Sequence, residues 1–223
     1  MIPYNPNFLE NINIFTKEEL KKLNELNQKV SLSHFLSNKS YIEKFGMDFI
    51  HTSAKIEGNT YDKHDTYTLL EYGRTAGGKK YSDAKMILNM KLAYDTFIRE
   101  DLEVSKEILK LATKEKLDDE LNYMLKKYKT IDEPFNRALY IHCNLAYLQY
   151  FKDCNKRTAR MMLNISLKSD DMMLYIPNEE KIGEYLRAVV EYFMRRVLII
   201  GLNAILSVED SRRREASMPL RGE

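Results

Sequence analysis

The side chains with the most evident capacity for chemistry lie in one short stretch that begins at Gln149 and ends at Arg160. Its last eight residues hold an acid, an amide, a lysine and two arginines, namely Asp153, Asn155, Lys156, Arg157 and Arg160. Apolar residues at helical spacing precede it over 138–148 and follow it over 159–167, which predicts a loop that leads into the start of a helix. Backbone N–H groups without partners and the positive end of the helix dipole make such a start an anion site. The other interpretation of this stretch alone is a solvated, charged loop between two helices.

A second polar stretch covers residues 53–59, at the end of another helical pattern. Ser53 and Glu57 are four positions apart and share a helix face. A carboxylate near a helix C-terminus lies at the unfavourable end of the dipole unless it has a cationic partner. Arg157 and Arg160 share a face of their own helix and are candidates for that partner. The alternative is a solvated Glu57, at a cost of roughly a few tenths of a kcal/mol.

Residues 72–82 have the strand-and-turn character that the rest of the sequence lacks. Gly77 and Gly78 suit a tight hairpin turn. The exposed edge of such a hairpin can take up an extended peptide through main-chain hydrogen bonds. The plainer interpretation is a simple surface turn.

Composition and the capping and stop residues of helices predict the elements that must position these three features. The 223 residues are 44% hydrophobic and 30% charged, which suits one domain, or one domain with an extension, that can bury a core. Only eight glycines and five prolines leave little room for many tight turns, so we expect an all-α bundle with one short β-hairpin. The first predicted helix starts at a capping box of Thr16 and Glu19, and the second runs from about Tyr41 to Glu57 with Gly58 as its stop. Further helices are predicted at about 63–71, from a cap at Ser82, from Ser105 and at about 118–127. The last three are predicted from Pro134 to Leu148, from the charged loop to about Leu167, and from a cap at Asn178.

The overall charge and the cysteine content narrow the classes of function. A formal net charge of +2 gives no reason to expect nucleic acid or a membrane surface as a partner. Cys143 and Cys154 are too few for a disulfide framework, which favours a reducing, cytoplasmic compartment. The longest apolar run, over 197–206, is too short to span a bilayer, and the first residues lack the pattern of a signal peptide. The four histidines lack metal-ligand spacing with a third ligand nearby, so we expect no zinc site and a core position for His142.

The three features, in this order along the chain, resemble the Fic family, also known as Fic/Doc or fido. The loop motif of that family reads His-x-Phe-x-(Asp/Glu)-Gly-Asn-(Gly/Lys)-Arg-x-x-Arg, and the aligned residues here are Gln149, Phe151, Asp153, Cys154, Asn155, Lys156, Arg157 and Arg160. The inhibitory helix of the family reads (Ser/Thr)-x-x-x-Glu-(Gly/Asn), and its matches here are Ser53, Glu57 and Gly58. The resemblance covers about 41–176. It divides the chain into an N-terminal arm and helix over 1–40, a Fic-type domain over 41–176 with its inhibitory helix at about 41–58 and its flap at about 72–82, a C-terminal helix packing on the core over 177–208, and a polar tail over 209–223.

The resemblance implies an all-α core with a flap hairpin, and the transfer of AMP from ATP to a hydroxyl side chain of a target protein. Under it, Phe151 anchors the loop in the core and Asp153 holds Mg²⁺, a cation that takes oxygen ligands and bridges phosphates. The residues implied to grip the phosphates of ATP are Asn155, Lys156, Arg157 and Arg160. Glu57 pairs with Arg160, occupies the place of the γ-phosphate and holds the enzyme in a low-activity state. The flap aligns the target segment by main-chain hydrogen bonds.

Two positions depart from the family motif and one is a permitted variant. Gln149 stands where the family has the histidine that takes the proton from the target hydroxyl, and a neutral amide cannot act as that base. Losing a positioned base typically costs on the order of 10²–10⁴ in rate. Cys154 stands where glycine is usual, so its Cβ is strained if the loop requires a positive φ there. Lys156 is the permitted variant, and it resembles the Doc branch, which transfers phosphate.

Four functions stay open from the sequence. They are an autoinhibited protein adenylyltransferase whose activity is reduced or lost through Gln149, a member that binds nucleotide or protein without catalysis, a Doc-like phosphotransferase, and an all-α interaction protein unrelated to this family. The sequence names no target protein, and it leaves the oligomeric state open, with a homo-oligomer among the alternatives.

Overall fold

The computed structural model describes residues 8–10, 12–105, 115–150 and 153–195, and all regular secondary structure in these ranges is helical. The α-helices in the described ranges are α1 (Lys17–Asn27), α2 (Leu32–Ser37), α3 (Lys39–Ile56), α4 (Lys63–Tyr72), α5 (Tyr81–Arg99), α6 (Glu115–Tyr128), α7 (Pro134–Leu148), α8 (Asn155–Ser169) and α9 (Ile182–Arg195). Short 3₁₀ helices lie at Phe8–Glu10 and Glu179–Lys181. The predicted all-α class is confirmed. None of the described helices is long and apolar enough to cross a membrane.

Local hydrogen bonds explain where the predicted helices begin and end. Thr16 caps α1 through the predicted capping box. The end of α3 is closed by Gly58, which has a φ of 81°, and by the Asn59 N–H, which donates to the Ala54 carbonyl over 3.1 Å. Pro134 is the first residue of α7, as predicted.

The β-hairpin predicted at the flap is not formed. Residues 73–80, called the flap loop below, contain no strand and only a turn. The polar groups of this loop bond instead to the segment that follows α3: the Ala76 N–H donates to the Tyr61 hydroxyl over 3.3 Å, and the Lys79 ammonium donates to the Thr60 carbonyl. The two sides of the loop are joined by a turn bond from the Lys79 N–H to the Ala76 carbonyl over 3.4 Å, and they form no strand.

The first turn of α5 also differs from its prediction. The helix begins at Tyr81, with Lys80 rather than Ser82 at its N-cap. The buried Asp83 carboxylate accepts hydrogen bonds from the Thr60 N–H over 3.1 Å and from the Thr60 hydroxyl over 2.6 Å. The start of α5 is therefore tied to the segment after α3, and a side-chain cap from Ser82 is not used.

The structure also differs from the sequence predictions at α2 and before α9, and some predictions lie outside the described residues. Helix α2, which was not predicted, has only six residues, too few for apolar spacing to show, and its cap is Ser31. Asn178 caps the 3₁₀ turn that precedes α9 rather than the long helix itself. The helix predicted from Ser105, most of the N-terminal arm and the polar tail lie outside the described residues.

Helix α7 lies at the centre of the fold. Most of its side chains are buried, and it packs against α6, α8 and α9, with α8 as its most extensive neighbour. Helix α3 packs on α5 and α4. A helix with apolar residues around most of its circumference must be covered on several sides, which is the physical reason for the central place of α7. This packing brings the α7–α8 loop close to the end of α3.

Candidate functional site

The loop between α7 and α8 is bounded by two residues with left-handed backbone conformation. Gln149, at the end of α7, has φ 48° and ψ 47°, and Cys154, at the start of α8, has φ 71° and ψ 5°. Such angles are uncommon for residues with a Cβ. The glycine of the family motif would be unstrained at the second position, so the departure at Cys154 falls on a residue whose backbone favours glycine.

Arg160 is held in the interior by the end of α3. Its side chain is 1% exposed. Its Nη2 donates to Glu57 Oε1 over 2.9 Å and to the Ser53 carbonyl over 3.0 Å, and its Nε donates to Ser53 Oγ over 3.2 Å. The predicted pairing of the two sequence stretches is therefore present, with Arg160 and not Arg157 as the partner of Glu57. The Gly58 stop ends α3 at the point where the Glu57 carboxylate reaches the guanidinium.

Arg157 faces the other side of the loop. Its Nη2 donates to Asp153 Oδ2 over 3.1 Å, and its side chain is 13% exposed, whereas that of Asp153 is 82% exposed. The Cys154 N–H donates to the other Asp153 oxygen over 2.6 Å. This N–H and the Arg157 charge hold the pKa of the Asp153 carboxyl below its usual value, although partial burial acts in the opposite direction. Asp153 is therefore an ionised, accessible oxygen donor at neutral pH.

The two amides of the motif contact each other across the loop. Asn155 is buried at the first position of α8, and its Nδ2 lies 3.5 Å from Gln149 Oε1. The Gln149 Nε2 donates to the Ala146 carbonyl at the end of α7. Gln149 is exposed, and Lys156 is exposed on the outer face of the α8 start. The predicted core anchor, Phe151, lies outside the described residues.

Two guanidinium nitrogens at this site are buried without a hydrogen-bond partner. They are Arg157 Nε and Arg160 Nη1. A buried N–H that makes no hydrogen bond is costly, commonly about 1–3 kcal/mol and more for a charged group. The first two turns of α8 therefore retain cationic donors without a hydrogen-bond partner, and this suits the binding of an anion.

The helix α9 contributes to the back of the site a residue that the sequence pattern did not single out. His142 of α7 is 1% exposed, and its Nε2 lies 3.1 Å from the hydroxyl of the buried Tyr185. Burial lowers the pKa of His142 to about 4, so the ring is neutral at physiological pH. The expectation of a core position for His142 is confirmed. Apolar spacing places Tyr185 on the core face of α9, but it does not reveal which polar group lies beneath it.

The described residues include no group of three or more histidine, cysteine, aspartate or glutamate side chains that could hold a metal ion. A protein-only metal cage is therefore absent from the described part of the chain. Mg²⁺ commonly binds through one or two carboxylates and the phosphates of a substrate. The single exposed carboxylate of Asp153 fits that mode, because its donor set is completed only when phosphates are present.

The Fic/DOC family model matches residues 68–167. These 100 of the 223 residues are similar to the Fic/DOC family. Solved structures that share the fold of this chain include the following three. A fragment of Fic-1 from C. elegans in which a glutamate is replaced by glycine has 19% identity and a TM-score of 0.67, with 90% of this chain and 73% of that chain covered.

The same Fic-1 fragment without the replacement has 20% identity and a TM-score of 0.62, over 95% of this chain and 71% of that chain. A Fic domain containing signaling protein from Bacteroides thetaiotaomicron has 18% identity and a TM-score of 0.56, over 93% and 89% of the two chains. At these identities the likeness shows the shared fold. A comparison with curated proteins finds no match.

Proposed function

We propose that this chain is a Fic-type protein adenylyltransferase that transfers AMP from ATP to a hydroxyl side chain of a target protein and is held in a low-activity state by Glu57. The observation that carries the proposal is the ion pair between Glu57 and Arg160, in which the arginine is 1% exposed and the glutamate 20% exposed. The arginine is the sixth residue of α8, the helix that follows the motif loop, and lies in its second turn. Helix starts of this kind bind phosphate groups.

The inhibition follows from the burial of the Arg160 charge. Removing the partner of a buried ion is strongly unfavourable, because the remaining charge has neither water nor a counter-ion. Glu57 therefore leaves Arg160 only if another anion takes its place. The γ-phosphate of ATP is such an anion, and an arginine fork suits phosphate oxygens. Glu57 and the γ-phosphate thus compete for the same guanidinium.

The remaining motif residues have roles that suit the other phosphates. Asn155 and Lys156 lie at the start of α8 with Arg157, whose Nε is an unused buried donor. Asp153 would hold Mg²⁺ together with the phosphates, and the ion would neutralise part of their charge. The pair between Asp153 and Arg157 would then open, because both groups would turn to the nucleotide.

The flap loop and the residues beside it are the proposed docking surface for the target protein. Tyr72 and Tyr81, at the two ends of the loop, are 65% and 78% exposed. Exposed aromatic side chains of this size are common at interaction surfaces. The Asn59 side chain, one residue beyond Gly58, donates to the Asp83 carbonyl over 2.9 Å, so the loop base and the end of α3 are joined. A target segment lying along residues 73–80 would therefore approach the end of the inhibitory helix.

Gln149 limits the chemistry of the proposed transfer. The target hydroxyl oxygen forms a bond to the α-phosphorus, the bond from that phosphorus to pyrophosphate breaks, and the hydroxyl proton must go to a base. A glutamine amide does not take that proton. Gln149 lies at the motif position of the base, so the wild-type protein is expected to be slow even when Glu57 is displaced.

The double variant Glu57→Gly with Gln149→His tests the proposal. Incubated with labelled ATP, Mg²⁺ and a cell lysate, it is expected to label proteins or itself. Glu57→Gly with Gln149→Asn is the matched control, because it releases the inhibitor without supplying a base. Absence of labelling by the double variant, with ATP binding intact, would contradict the transferase proposal.

A member that binds nucleotide without catalysis is the second candidate, favoured by the absence of a base at Gln149 beside retained cations. Calorimetry of the Glu57→Gly protein with ATP and Mg²⁺ tests this candidate, and the absence of a heat of binding would exclude it.

A Doc-like transfer of phosphate is favoured by Lys156 alone. Mass spectrometry of a labelled target separates phosphate from AMP by the mass added.

A further inference from the structure

Residues 58–61, called the exit segment below, carry the chain away from Glu57 at the end of α3. They lie outside residues 68–167, which the Fic/DOC model matches. The side chain of the buried Asn59 donates from Nδ2 to the Asp83 carbonyl over 2.9 Å. Asp83 lies in the first turn of α5, within the matched residues. The exit segment is therefore attached directly to the matched part of the chain.

The Asp83 side chain makes a second attachment. Its buried carboxylate accepts at Oδ2 from the Thr60 hydroxyl over 2.6 Å and from the Thr60 N–H over 3.1 Å. An acid at the third position of a helix commonly bonds back to the N–H of the N-cap, as Asp65 does in α4. In α5 the third residue is Asp83, and its Oδ2 holds a residue 23 positions earlier in the chain. The Thr60 donors also hold the pKa of the Asp83 carboxyl below its usual value, although burial acts in the opposite direction.

The position of Glu57 depends on the residues on both sides of it. Glu57 is the C-cap of α3, and helix ends fray unless they are held. A carboxylate at this end of a helix is also unfavourably placed in the helix dipole. Gly58 follows, and glycine has the greatest backbone freedom of any residue. Since Thr60 is three positions beyond Glu57, at most about 11 Å of chain joins their Cα atoms. Fixing Thr60 therefore limits the positions that the Glu57 backbone can take.

The contact that Glu57 makes is sensitive to displacement. Its Oε1 lies 2.9 Å from Nη2 of Arg160, whose side chain is 1% exposed. A shift of the helix end by about 1 Å would take this pair beyond the ordinary N–H···O range, which ends at about 3.2 Å. The bonds from the exit segment to Asp83 oppose such a shift.

We propose that Asp83 is a positioning residue of the inhibitor: by holding the exit segment, it keeps Glu57 on Arg160. Asp83 acts through Thr60, and it sets how well Glu57 competes with an incoming phosphate for the guanidinium. The effect on phosphate binding rests on the proposed function, whereas the positioning of Glu57 on Arg160 does not. The competing explanation is a contact that stabilises only the start of α5.

A double-mutant cycle on stability tests the positioning without any ligand. Thr60→Val removes the hydroxyl and keeps the side-chain shape, and Glu57→Ala removes the carboxylate without the backbone freedom of glycine. The wild type, the two single variants and the double variant are unfolded in urea. Thr60→Val is expected to raise the unfolding equilibrium constant about fivefold more with Glu57 present than in the Glu57→Ala background, because an ion pair is then loosened as well. An equal rise in both backgrounds would overturn the proposal.

Two other threonine variants are matched controls. Thr60→Ser keeps the hydroxyl and is expected to show no coupling to Glu57, and coupling as large as that of Thr60→Val would overturn the proposal. Thr96→Val removes a hydroxyl that donates to the Leu92 carbonyl over 3.0 Å, near the other end of α5. Its cost is expected to be the same in both backgrounds. Equal coupling at Thr96 would mean that any loosening of α5 reaches Glu57, and would also overturn the proposal.

Asp83→Asn is a second variant at the same contact. It removes the charge that accepts both Thr60 donors, and it is expected to show coupling to Glu57 of the same sign as Thr60→Val. Absence of that coupling would contradict the role of Asp83. If neither Thr60→Val nor Asp83→Asn folds while Glu57 is present, the contact serves the fold as a whole, and the proposal is overturned.

A measurement of nucleotide affinity connects the contact to the proposed function. With Glu57 present, Thr60→Val is expected to tighten the binding of ATP with Mg²⁺ about fivefold, because the competing carboxylate is held less firmly. In the Glu57→Ala background it is expected to leave the affinity unchanged. A loss of affinity in both backgrounds would mean that the site is distorted, and would count against the proposal.

The two experiments separate this proposal from the proposed function. If the Glu57→Ala protein binds no ATP, the nucleotide proposal fails, and the stability cycle still decides the role of Asp83. If that protein binds ATP and Thr60→Val alters the affinity in neither background, the proposed function stands and the positioning role of Asp83 fails.

Discussion

The two ends of the candidate site differ in how firmly the fold holds them. At one end, Arg160 is 1% exposed and bonds to Ser53 and Glu57, which are 107 and 103 positions away in the chain. At the other end, Gln149 is exposed, and its amide contacts Ala146 and Asn155, three and six positions away. One end is built by tertiary packing, and the other by a short loop.

This difference shows which part of the site can change without loss of the fold. Replacing a buried, paired arginine leaves polar groups in the interior without partners, so the anion-binding end is tied to stability. A side chain on the loop can be exchanged at small structural cost, because surface substitutions usually change stability by about 0.5 kcal/mol or less. A glutamine at the position of the family base is therefore compatible with an intact site.

The largest expected effect is a gain in the rate of AMP transfer when Gln149, at the loop end of the site, is replaced. In the Glu57→Gly background, Gln149→His is expected to raise the rate of labelling from ATP on the order of 10²–10⁴, the usual contribution of a positioned base. The urea midpoint should stay unchanged, since the side chain is exposed. If Gln149→His labels no faster than Gln149→Asn in the same background, the loop end lacks more than a base.

At the arginine end, Glu57→Gly is expected to lower the free energy of unfolding by about 2 kcal/mol, because it removes the counter-ion of a buried charge. The effect is smaller than the roughly 3–5 kcal/mol of a fully buried pair, since Ser53 still holds the guanidinium and Glu57 is partly exposed. Urea unfolding measures it. Glu100 is the matched control, since it is an exposed glutamate at the C-cap of α5, and an equal loss in Glu100→Gly would contradict the comparison.

The loop end should gain stability when its backbone strain is removed. Cys154→Gly is expected to raise the free energy of unfolding by about 1 kcal/mol, because glycine adopts a φ of 71° without a Cβ penalty. Cys154→Ala keeps the Cβ and should show no such rise. Thermal or urea unfolding of the three proteins distinguishes strain at Cys154 from a general benefit of losing the thiol.

The smallest expected effect is a pH dependence at Asp153. The Cys154 N–H and Arg157 lower the pKa of this carboxyl in the folded protein below its ordinary value of 3.8. Because the pKa is lowered in the folded state, the ionised group contributes stability that is fully present above the ordinary value of 3.8 and is lost as the pH falls through the folded pKa.

Asp153→Asn should therefore be slightly less stable than the wild type at pH 7, and the difference should shrink as the pH falls below 3.8. The effect is small, because the side chain is 82% exposed and solvent screens its contacts. Urea unfolding at several pH values measures it. A difference that grows on acidification would contradict the assignment.

Most of the helices were predictable, because apolar spacing and local end signals are properties of neighbouring residues. The capping box at Thr16, the stop at Gly58 and Pro134 at the start of α7 are such signals. The flap hairpin was not predicted correctly. Its Ala76 N–H and its Lys79 ammonium bond to residues 60–61, and no local pattern reveals a partner on another element.

The chemistry of the site was visible in the order of residue types: an acid, an amide and two arginines before a helix, a glutamate at the end of an earlier helix, and Gln149 where the family has its base. That information is one-dimensional, since it consists of identities and spacings. Residue spacing left Arg157 and Arg160 open as partners of Glu57, the family resemblance pointed to Arg160, and the packing places Glu57 on Arg160. Packing alone decided that the Tyr185 hydroxyl of α9 lies 3.1 Å from His142. Such choices depend on burial and on distances between residues far apart in the chain, and a linear pattern does not contain them.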